Sequence, residues 1–242
     1  MALGCNVLLS VREKRKRAPW AAYERAYTLI DLLVGLSLLL VVTVVLLPMF
    51  SRRPHSRAPR IFCVNNLKQI GLSFRQWALD HQDRFPMEVS VTNGGTMEFV
   101  NTGIVWAHFT VMSNELNTPK VLLCPADKRR ADRQANTFGA AQYANQIPFT
   151  NDNSTSYFVG VDAVQTNGQM LLSGDRNITN TSKANRRLVS FSTNQLAGWT
   201  DDLHRRQGNV GLADGSVQQF TASRLRDQIA HTGVVTNRLA MP

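Results

Sequence analysis

A run of 20 uncharged residues, mostly Leu and Val, lies between Asp31 and Arg52. At a rise of about 1.5 Å per residue, such a run forms a helix of about 30 Å, the thickness of the hydrocarbon core of a bilayer. An ordinary signal peptide has a shorter apolar core followed by a small-x-small cleavage site, whereas this run ends in Leu47-Pro48-Met49-Phe50 and then arginines. The sequence therefore predicts a transmembrane helix, around 32–50, that is not removed behind the run.

Charge orients this helix only weakly. The chain carries 27 Lys and Arg against 17 Asp and Glu, a net charge of +10. Up to Ala26 there are six basic and two acidic residues, a net +4, and basic residues beside an apolar run favour the cytoplasmic side. The asymmetry is reduced by a second basic cluster just past the run, which comprises Arg52, Arg53, Arg57 and Arg60.

The residues that enter the apolar run are Arg25-Ala26-Tyr27-Thr28-Leu29-Ile30-Asp31-Leu32. This stretch resembles the signal of type IV prepilins, in which a small residue precedes an aromatic residue, then Thr-Leu-Ile, an acid and an apolar helix. The resemblance implies that a prepilin peptidase cuts between Ala26 and Tyr27 and that the new N-terminus is methylated. Pro48 falls where such helices commonly carry a proline. Two residues depart from the usual pattern, since Ala26 replaces Gly and Asp31 replaces Glu.

Asp31 is the acidic residue of this signal. A carboxylate at the edge of an apolar helix is costly in lipid unless it finds a partner. The resemblance implies that the partner is the free N-terminal amine of a neighbouring subunit, in which case Asp31 sets the register between subunits. The alternative is that Asp31 lies at the level of the lipid headgroups without a specific partner.

A neck and a second helix follow the anchor. Pro54 and Pro59 each remove a backbone donor and disfavour helix in the preceding residue, so we expect a break between Ser51 and Arg60. Apolar residues then recur at three- and four-residue spacing, which predicts an amphipathic helix from Asn65 to about His81 that packs on a sheet. The residues of this stripe are Leu67, Ile70, Gly71, Phe74, Trp77 and Ala78.

The second half of the chain reads as antiparallel strands and a last helix. Short segments rich in β-forming residues alternate with Asn, Gly, Ser and Asp. The predicted strands are Tyr157 to Val164, Gln169 to Ser173, Arg187 to Phe191 and Asn209 to Phe220, and the last helix is Ser223 to His231. If Asp214-Gly215 forms a two-residue type I′ turn, Leu212 faces Val217. The predicted fold is α+β, pilin-like, with a transmembrane helix followed by an amphipathic helix on an antiparallel sheet.

Three further motifs resemble those of one prepilin subgroup. They are Cys63-Val64-Asn65-Asn66-Leu67-Lys68-Gln69-Ile70-Gly71, the element Cys124-Pro125-Ala126-Asp127, and His204 followed after nine residues by Asp214-Gly215. The last matches the His-x9-Asp-Gly signature of prepilin processing-associated domains. We expect structural roles, in which Asp214-Gly215 makes the turn and His204 bonds to a nearby loop. The motif implies no biochemical activity.

The chain has three cysteines, Cys5, Cys63 and Cys124. If a leader ending at Ala26 is removed, Cys5 leaves with it and an even pair remains in an exported domain, where oxidation is permitted. We therefore predict a disulfide between Cys63 and Cys124. The alternative is a pair of buried thiols.

Two kinds of site chemistry compete with a purely structural role. Asp201, Asp202 and Asp214 offer the hard oxygen ligands that Ca²⁺ prefers, with His204 beside them, which makes a calcium site a hypothesis although no fixed calcium-loop pattern is present. No other cofactor is expected. A hydrolase would use a serine such as Ser173 or Ser190, but no Gly-x-Ser-x-Gly elbow or His-Glu-x-x-His helix occurs. We therefore predict that the chain is not an enzyme.

Nucleic-acid binding, as in a DNA-uptake pilin, is the non-enzymatic alternative. Clustered cations bind phosphate, but no aromatic residues are interleaved with them to form a stacking platform. The basic clusters are Lys128-Arg129-Arg130, Arg133, Arg186-Arg187 and Arg205-Arg206.

The sequence thus predicts a basic leader (1–26), a transmembrane and assembly helix (27–50), a Pro- and Arg-rich neck (51–61) and an exported globular domain (62–242). By resemblance it is a pseudopilin, a structural subunit of a pilus or of a type II secretion-like pseudopilus. Its expected partners are prepilin peptidase, other pseudopilin subunits and the inner membrane. It is expected to be single-pass, with the C-terminal domain in the periplasm or outside the cell.

Overall fold

The computed structural model describes residues 28–51, 58–180 and 187–242. The chain divides into two compact units, Met1–Arg53 and Pro54–Pro242. The predicted leader, the cleavage site between Ala26 and Tyr27, and most of the predicted neck lie outside the described residues.

The first unit contains helix α1, Leu29–Ser51. Thr28 and Asp31 cap its start reciprocally, since Asp31 N donates to Thr28 Oγ1 at 3.3 Å and Thr28 N donates to Asp31 Oδ2 at 3.1 Å. Every side chain from Thr28 to Leu46 is exposed, and the 18 residues Leu29–Leu46 are apolar enough to cross a membrane. The structure therefore confirms a helix of the predicted length and composition for a membrane span.

The second unit begins with helix α2, Ala58–Asp80. This helix starts seven residues before the predicted start at Asn65, so the expected break does not extend to Arg60. Pro59 lies in the first turn, where the missing N–H has no helical acceptor in any case and the ring costs little. The rest of the expected break, residues 52–57, lies outside the described residues.

An irregular segment follows α2. It contains the short helices α3 (Trp106–Thr110) and α4 (Ser113–Leu116) and several 3-10 turns, of which Pro119–Leu122 packs on α2. Aromatic side chains join this segment to the helix, since the Phe74 ring centroid lies 5.9 Å from that of Phe85 and 6.2 Å from that of Phe109. The segment thus covers part of the buried face of α2.

The described strands of the second unit are β1 (Tyr157–Gly160), β2 (Leu171–Asp175), β3 (Ile178–Thr179), β4 (Leu188–Ser192), β5 (Gly198–Trp199), β6 (Gly208–Leu212), β7 (Val217–Phe220) and β8 (Thr236–Ala240). Six of them form an antiparallel sheet at its centre, in the order β4-β8-β1-β2-β6-β7, and β3 pairs separately with β5. The predicted α+β class is confirmed. Strand β8, which the sequence did not predict, pairs with both β4 and β1.

Helices cover both faces of this sheet. Neighbouring residues of one strand point to opposite faces, so Phe158 and Val159 belong to two different apolar clusters. Val159 shares its cluster with the apolar stripe of α2, all six predicted members of which are buried. Phe158 shares its cluster with Leu225 and Ile229 of the last helix, α5 (Ala222–His231).

The turn between β6 and β7 differs from the predicted type I′ turn. Gly211 pairs with Val217, and Leu212 N donates to Ser216 O at 2.8 Å, so Leu212 lies opposite Ser216 and not Val217. The loop therefore has three residues. Within it Gly215 alone has a positive φ, +86°, whereas a type I′ turn requires positive φ at both central residues.

Candidate functional site

The motif cysteines meet where α2 contacts the irregular segment. Cys63 and Cys124 form a disulfide across a sequence separation of 61 residues, with a Cα–Cα distance of 5.3 Å. Both side chains are fully buried. Cys63 lies on α2, and Cys124 follows the 3-10 turn Pro119–Leu122, so the bond ties the irregular segment to the helix.

His204 lies directly beside this disulfide. Its Nε2 atom is 3.6 Å from Cys124 Sγ and 3.4 Å from Asp175 Oδ2. One potential ligand atom from each of Cys63, Cys124, Asp175 and His204 lies within 4.8 Å of the others, and all four residues are buried. We call these four residues the His204 cluster.

Asp175 enters the cluster from the end of strand β2. Its Oδ2 atom accepts bonds from Asn209 N at 2.7 Å and from Asn209 Nδ2 at 2.8 Å. Its Oδ1 atom is buried and has no hydrogen-bond partner among the described residues. Burial raises the pKa of the Asp175 carboxyl to about 7, although the bonds from Asn209 favour the charged form.

His204 is held as an uncharged imidazole. Burial, assisted by the nearby Arg60 guanidinium, lowers the pKa of His204 to about 4. The 3.4 Å approach to Asp175 is therefore not an ion pair at neutral pH. Because the imidazole is neutral there, the cluster carries at most the single negative charge of Asp175.

Arg60 fixes the loop that carries His204. Its Nη2 atom donates to His204 O at 2.8 Å and its Nη1 atom donates to Gln207 Oε1 at 2.7 Å. The loop turns sharply here, since Arg205 and Arg206 have φ of 53° and 59°. We expected His204 to bond to a nearby loop. Its ring contacts Cys124, which lies in the loop after the 3-10 turn Pro119–Leu122, and approaches Asp175 of β2, while its carbonyl accepts from Arg60 in the first turn of α2.

Asp127, the last residue of the Cys-Pro-x-Asp element, forms a second buried polar centre. Arg176 donates to both of its oxygens, from Nε to Oδ2 at 2.6 Å and from Nη2 to Oδ1 at 2.7 Å, and Ser156 Oγ donates to Oδ2 at 2.8 Å. Burial by itself would raise the pKa of Asp127, but the bonds and charge of Arg176, together with the Ser156 bond and the Arg130 charge, hold the pKa below its ordinary value. This element therefore locks the irregular segment to the sheet.

The Asp214-Gly215 turn packs on another part of α2. Arg75 Nη1 donates to Asp214 O, and a Cβ added at Gly71 would lie 3.7 Å from Gly215 Cα. The helix thus contacts the disulfide through Cys63 and the turn through Gly71. His204 and Asp214 take part in separate contacts, although the sequence motif joins them.

The three aspartates of the calcium hypothesis bond to different partners. Asp201 pairs with Arg206 at 3.1 Å, Asp202 pairs with Arg129 at 2.7 Å, and Asp214 Oδ1 accepts from Ser216 N at 2.8 Å. In the part of the chain that the structure describes, the one group of three or more candidate metal-ligating side chains is the His204 cluster.

Four of the eight basic residues considered for nucleic-acid binding have described side-chain partners within the chain. Besides Arg129 and Arg206, Arg130 donates to Asp152 O and Thr155 O, and Arg187 Nη1 lies 3.9 Å from Asp152 Oδ2. Arg129, Arg176 and Arg187 line an open polar cavity of about 470 Å³. Arg186 lies outside the described residues.

The two serines considered as hydrolytic nucleophiles have no general base among their described contacts. Ser173 Oγ is buried inside the sheet and donates to Phe158 O at 2.8 Å. Ser190 lies on β4, and its carbonyl accepts from Asn180 Nδ2 at 3.0 Å. The described contacts of these serines include no histidine or carboxylate partner.

Sequence reasoning missed Asp175, Arg60 and Arg176 as members of these centres. The available signal was weak: Asp175 is an acid that ends an otherwise apolar and small-residue strand, and Arg176 follows it directly. Comparison of the chain with protein-family models, with curated proteins and with solved structures gives no match.

Proposed function

We propose that this chain is a structural subunit of a pilus or of a type II secretion-like pseudopilus. It is made as a prepilin, processed by a prepilin peptidase between Ala26 and Tyr27, and assembled through its N-terminal helix. The proposal rests on the surface of α1, where side chains up to Leu46 are exposed and Asp31 is the only charged residue. Leu and Val exposed on every side of a helix require lipid or other apolar helices around them. A subunit held first in a membrane and later in a fibre core meets both surroundings.

Asp31 supports the proposal by its position. It lies in the first turn of α1, and its described hydrogen bonds, from Thr28 N and Thr28 Oγ1, both fall on Oδ2. In the processed chain this carboxylate stands at the edge of the apolar surface. The amine of a neighbouring subunit's Tyr27 then neutralises the charge where lipid would penalise it.

The second unit supports export of the globular domain. Its core contains the Cys63–Cys124 disulfide, and structural disulfides persist in oxidising compartments outside the cytosol. We infer a single-pass protein of the inner membrane with this domain on the periplasmic or extracellular side.

N-terminal mass spectrometry of the membrane-fraction protein tests the processing step. The full chain is expressed with and without a prepilin peptidase. We expect a mature chain that begins at N-methylated Tyr27 only when the peptidase is present. Ala26→Gly, which restores the usual glycine, should be cut at least as well, whereas Ala26→Leu should stay uncut. An intact Met1 in both cultures contradicts the proposal.

Assembly is tested separately at Asp31. Asp31→Glu should leave the subunit in sheared, pelletable fibres, because it retains the carboxylate. Asp31→Asn should leave the subunit in the membrane and remove it from the fibre fraction. Equal recovery of both variants in fibres would eliminate the proposed register role. A salt-sensitive gel shift of the chain with duplex DNA would instead favour the DNA-uptake alternative.

A further inference from the structure

The His204 cluster contains the donor set of a structural metal site. Two cysteine sulfurs, one imidazole nitrogen and one carboxylate oxygen are brought within 4.8 Å of one another. Thiolate and imidazole ligands in a four-coordinate set favour Zn²⁺ over the hard cations that prefer oxygen. The donor set is thus chemically different from the three aspartates considered for Ca²⁺.

Two of the six ligand-to-ligand distances, those from the imidazole to Cys124 and Asp175, match the edges of a zinc tetrahedron, and reduction frees the two sulfurs to move apart. With Zn–S of about 2.3 Å and Zn–N or Zn–O of about 2.1 Å, a sulfur and a nitrogen stand about 3.6 Å apart and a nitrogen and an oxygen about 3.4 Å apart. The Cys124 Sγ–His204 Nε2 distance is 3.6 Å and the His204 Nε2–Asp175 Oδ2 distance is 3.4 Å. The same imidazole nitrogen faces both partners, as a shared metal ion requires.

The surroundings of the cluster supply two further features of a metal site. Asp175 is a fully buried carboxylate whose Oδ1 atom has no hydrogen-bond partner among the described residues, and a cation at Oδ2 would offset its buried charge. Asn209 donates to Oδ2, the oxygen that faces His204, as outer-shell residues do for metal ligands. Arg60 holds the backbone of His204 and brings a positive charge to a site whose two thiolates and carboxylate would exceed the charge of Zn²⁺ by one.

We propose that the reduced chain binds one Zn²⁺ ion through Cys63, Cys124, His204 and Asp175. A cysteine in a disulfide is no thiolate ligand, so disulfide and zinc are alternative ways of closing the same link between α2 and the irregular segment. Four protein ligands leave no open position, which makes the site structural rather than catalytic.

Conversion of the disulfide to the zinc form requires a reductant and one water molecule. A water-soluble phosphine attacks one sulfur and breaks the S–S bond. The phosphine then takes the oxygen of one water to become a phosphine oxide, and the two hydrogens of that water complete two thiols. Binding of Zn²⁺ displaces both thiol protons to solvent. Exchange with a small-molecule disulfide oxidises the two thiolates to the Cys63–Cys124 disulfide, reduces the small molecule to two thiols with two protons from solvent, and releases the ion.

Metal content of the full chain in detergent micelles tests the proposal. One sample is produced in a cytosol that keeps thiols reduced and is purified without oxygen, and a second is oxidised to the disulfide. We expect about one Zn²⁺ per chain in the reduced sample and almost none in the oxidised one. Replacement by Co²⁺ should give thiolate-to-cobalt charge-transfer bands and the intense visible bands of tetrahedral coordination. Oxidation should release the ion as the disulfide forms.

The variant His204→Gln identifies the ligand set, because it removes the nitrogen and leaves both cysteines. Circular dichroism of its oxidised, disulfide-bonded form checks that the variant folds. In its reduced form the metal affinity should fall by more than about a hundredfold, beyond the usual effect of losing an outer-shell partner. His231→Gln, which changes an exposed histidine, is the matched control and should bind as the wild type does.

Three results would overturn the proposal. The first is a reduced wild-type chain that binds no more metal than Cys63→Ser/Cys124→Ser. The second is full affinity in reduced His204→Gln, which would mean that the thiols bind metal without the histidine. The third is a reduced chain that stays unfolded with Zn²⁺ present, because zinc should then replace the missing crosslink.

Discussion

Helices α1 and α2 are each 23 residues long, but only one of them is buried within this chain. α1 exposes its described side chains up to Leu46, whereas α2 buries the face that runs from Cys63 to Ala78. The difference lies in pattern. α2 places apolar residues at three- and four-residue spacing and polar ones between them, so its own sheet covers the apolar face. α1 is apolar all round, the composition of a helix able to cross a membrane.

The largest expected loss of stability comes from a substitution in the buried face of α2. Phe74→Ala removes a fully buried ring that contacts Phe85 and Phe109, and the free energy of unfolding should fall by about 4 kcal/mol. Leu72→Ala, two residues away but 65% exposed, is the matched control and should change it by less than about 0.5 kcal/mol. Chemical denaturation of the full chain in micelles, followed by tryptophan fluorescence, measures both. Equal losses of unfolding free energy in the two variants would contradict the assignment of one buried and one exposed face to α2.

The next largest effect is expected on membrane insertion, from a charge placed on the exposed apolar surface of α1. Leu40→Arg places a charge at the middle of the apolar run, and membrane insertion should become less favourable by about 3 kcal/mol. Leu79→Arg puts the same charge at an exposed site of α2 and should leave insertion unchanged. Alkaline extraction of membranes measures the fraction of each variant that stays embedded. If Leu40→Arg remains fully embedded, α1 is not surrounded by lipid.

Two aspartates extend the comparison to charge, since Asp31 of α1 is exposed and Asp175 beside α2 is buried. The pKa of Asp175 is raised to about 7 in the folded chain and lies near 3.9 in the unfolded chain, so the folded state holds more protons between these values. Its contribution to stability therefore falls as pH rises from about 4 to 7. The pKa of His204 is lowered to about 4 from about 6.5, and its contribution rises with pH over about 4 to 6.5.

The pH-dependent contributions of Asp175 and His204 to stability oppose each other in the wild type. A variant that removes one of the two groups shows the contribution of the other. In His204→Gln, stability should fall as pH rises from 4 to 7, and in Asp175→Asn it should rise between pH 4 and 6.5, each by the order of 2 kcal/mol relative to wild type. Denaturation midpoints measured across this pH range give the slopes. Parallel pH profiles for all three proteins would contradict the buried, uncharged pair. Asp31→Asn is the control and should leave the profile of the second unit unchanged.

The smallest expected changes in stability come from glycine substitutions. A Cβ at Gly35 of α1 would meet no atom within 4 Å, whereas one at Gly71 of α2 would contact Gly215 at 3.7 Å. Gly215→Ala forces an L side chain to φ +86° and should cost about 1 to 2 kcal/mol. Gly71→Ala should gain up to about 1 kcal/mol, because the methyl group fits and alanine favours helix. Thermal unfolding distinguishes the two, and a loss at Gly71 would mean that the turn lies closer to α2 than described.

The sequence alone determined the features that depend on local pattern. The length and composition of α1 are those of a helix able to cross a membrane, and the apolar stripe of α2 identifies its buried face. Both follow from the spacing of residues that are close in sequence. Cysteine parity pointed to the pairing of Cys63 with Cys124, and the Asp214-Gly215 dipeptide located a hairpin. The exact turn was misjudged, since the pairing of Gly211 with Val217 fixes a loop that is one residue longer.

Only the tertiary structure decided what the distant motifs do. Strand β8 is short and contains Asn237 and Arg238, so its place between β4 and β1 depends on partners far along the chain. The His204 cluster likewise joins Cys124 and His204 across 80 residues, and Arg60 reaches His204 across 144. Burial and convergence of this kind arise from packing between remote segments, and no local pattern encodes which buried carboxylate or guanidinium a histidine will meet.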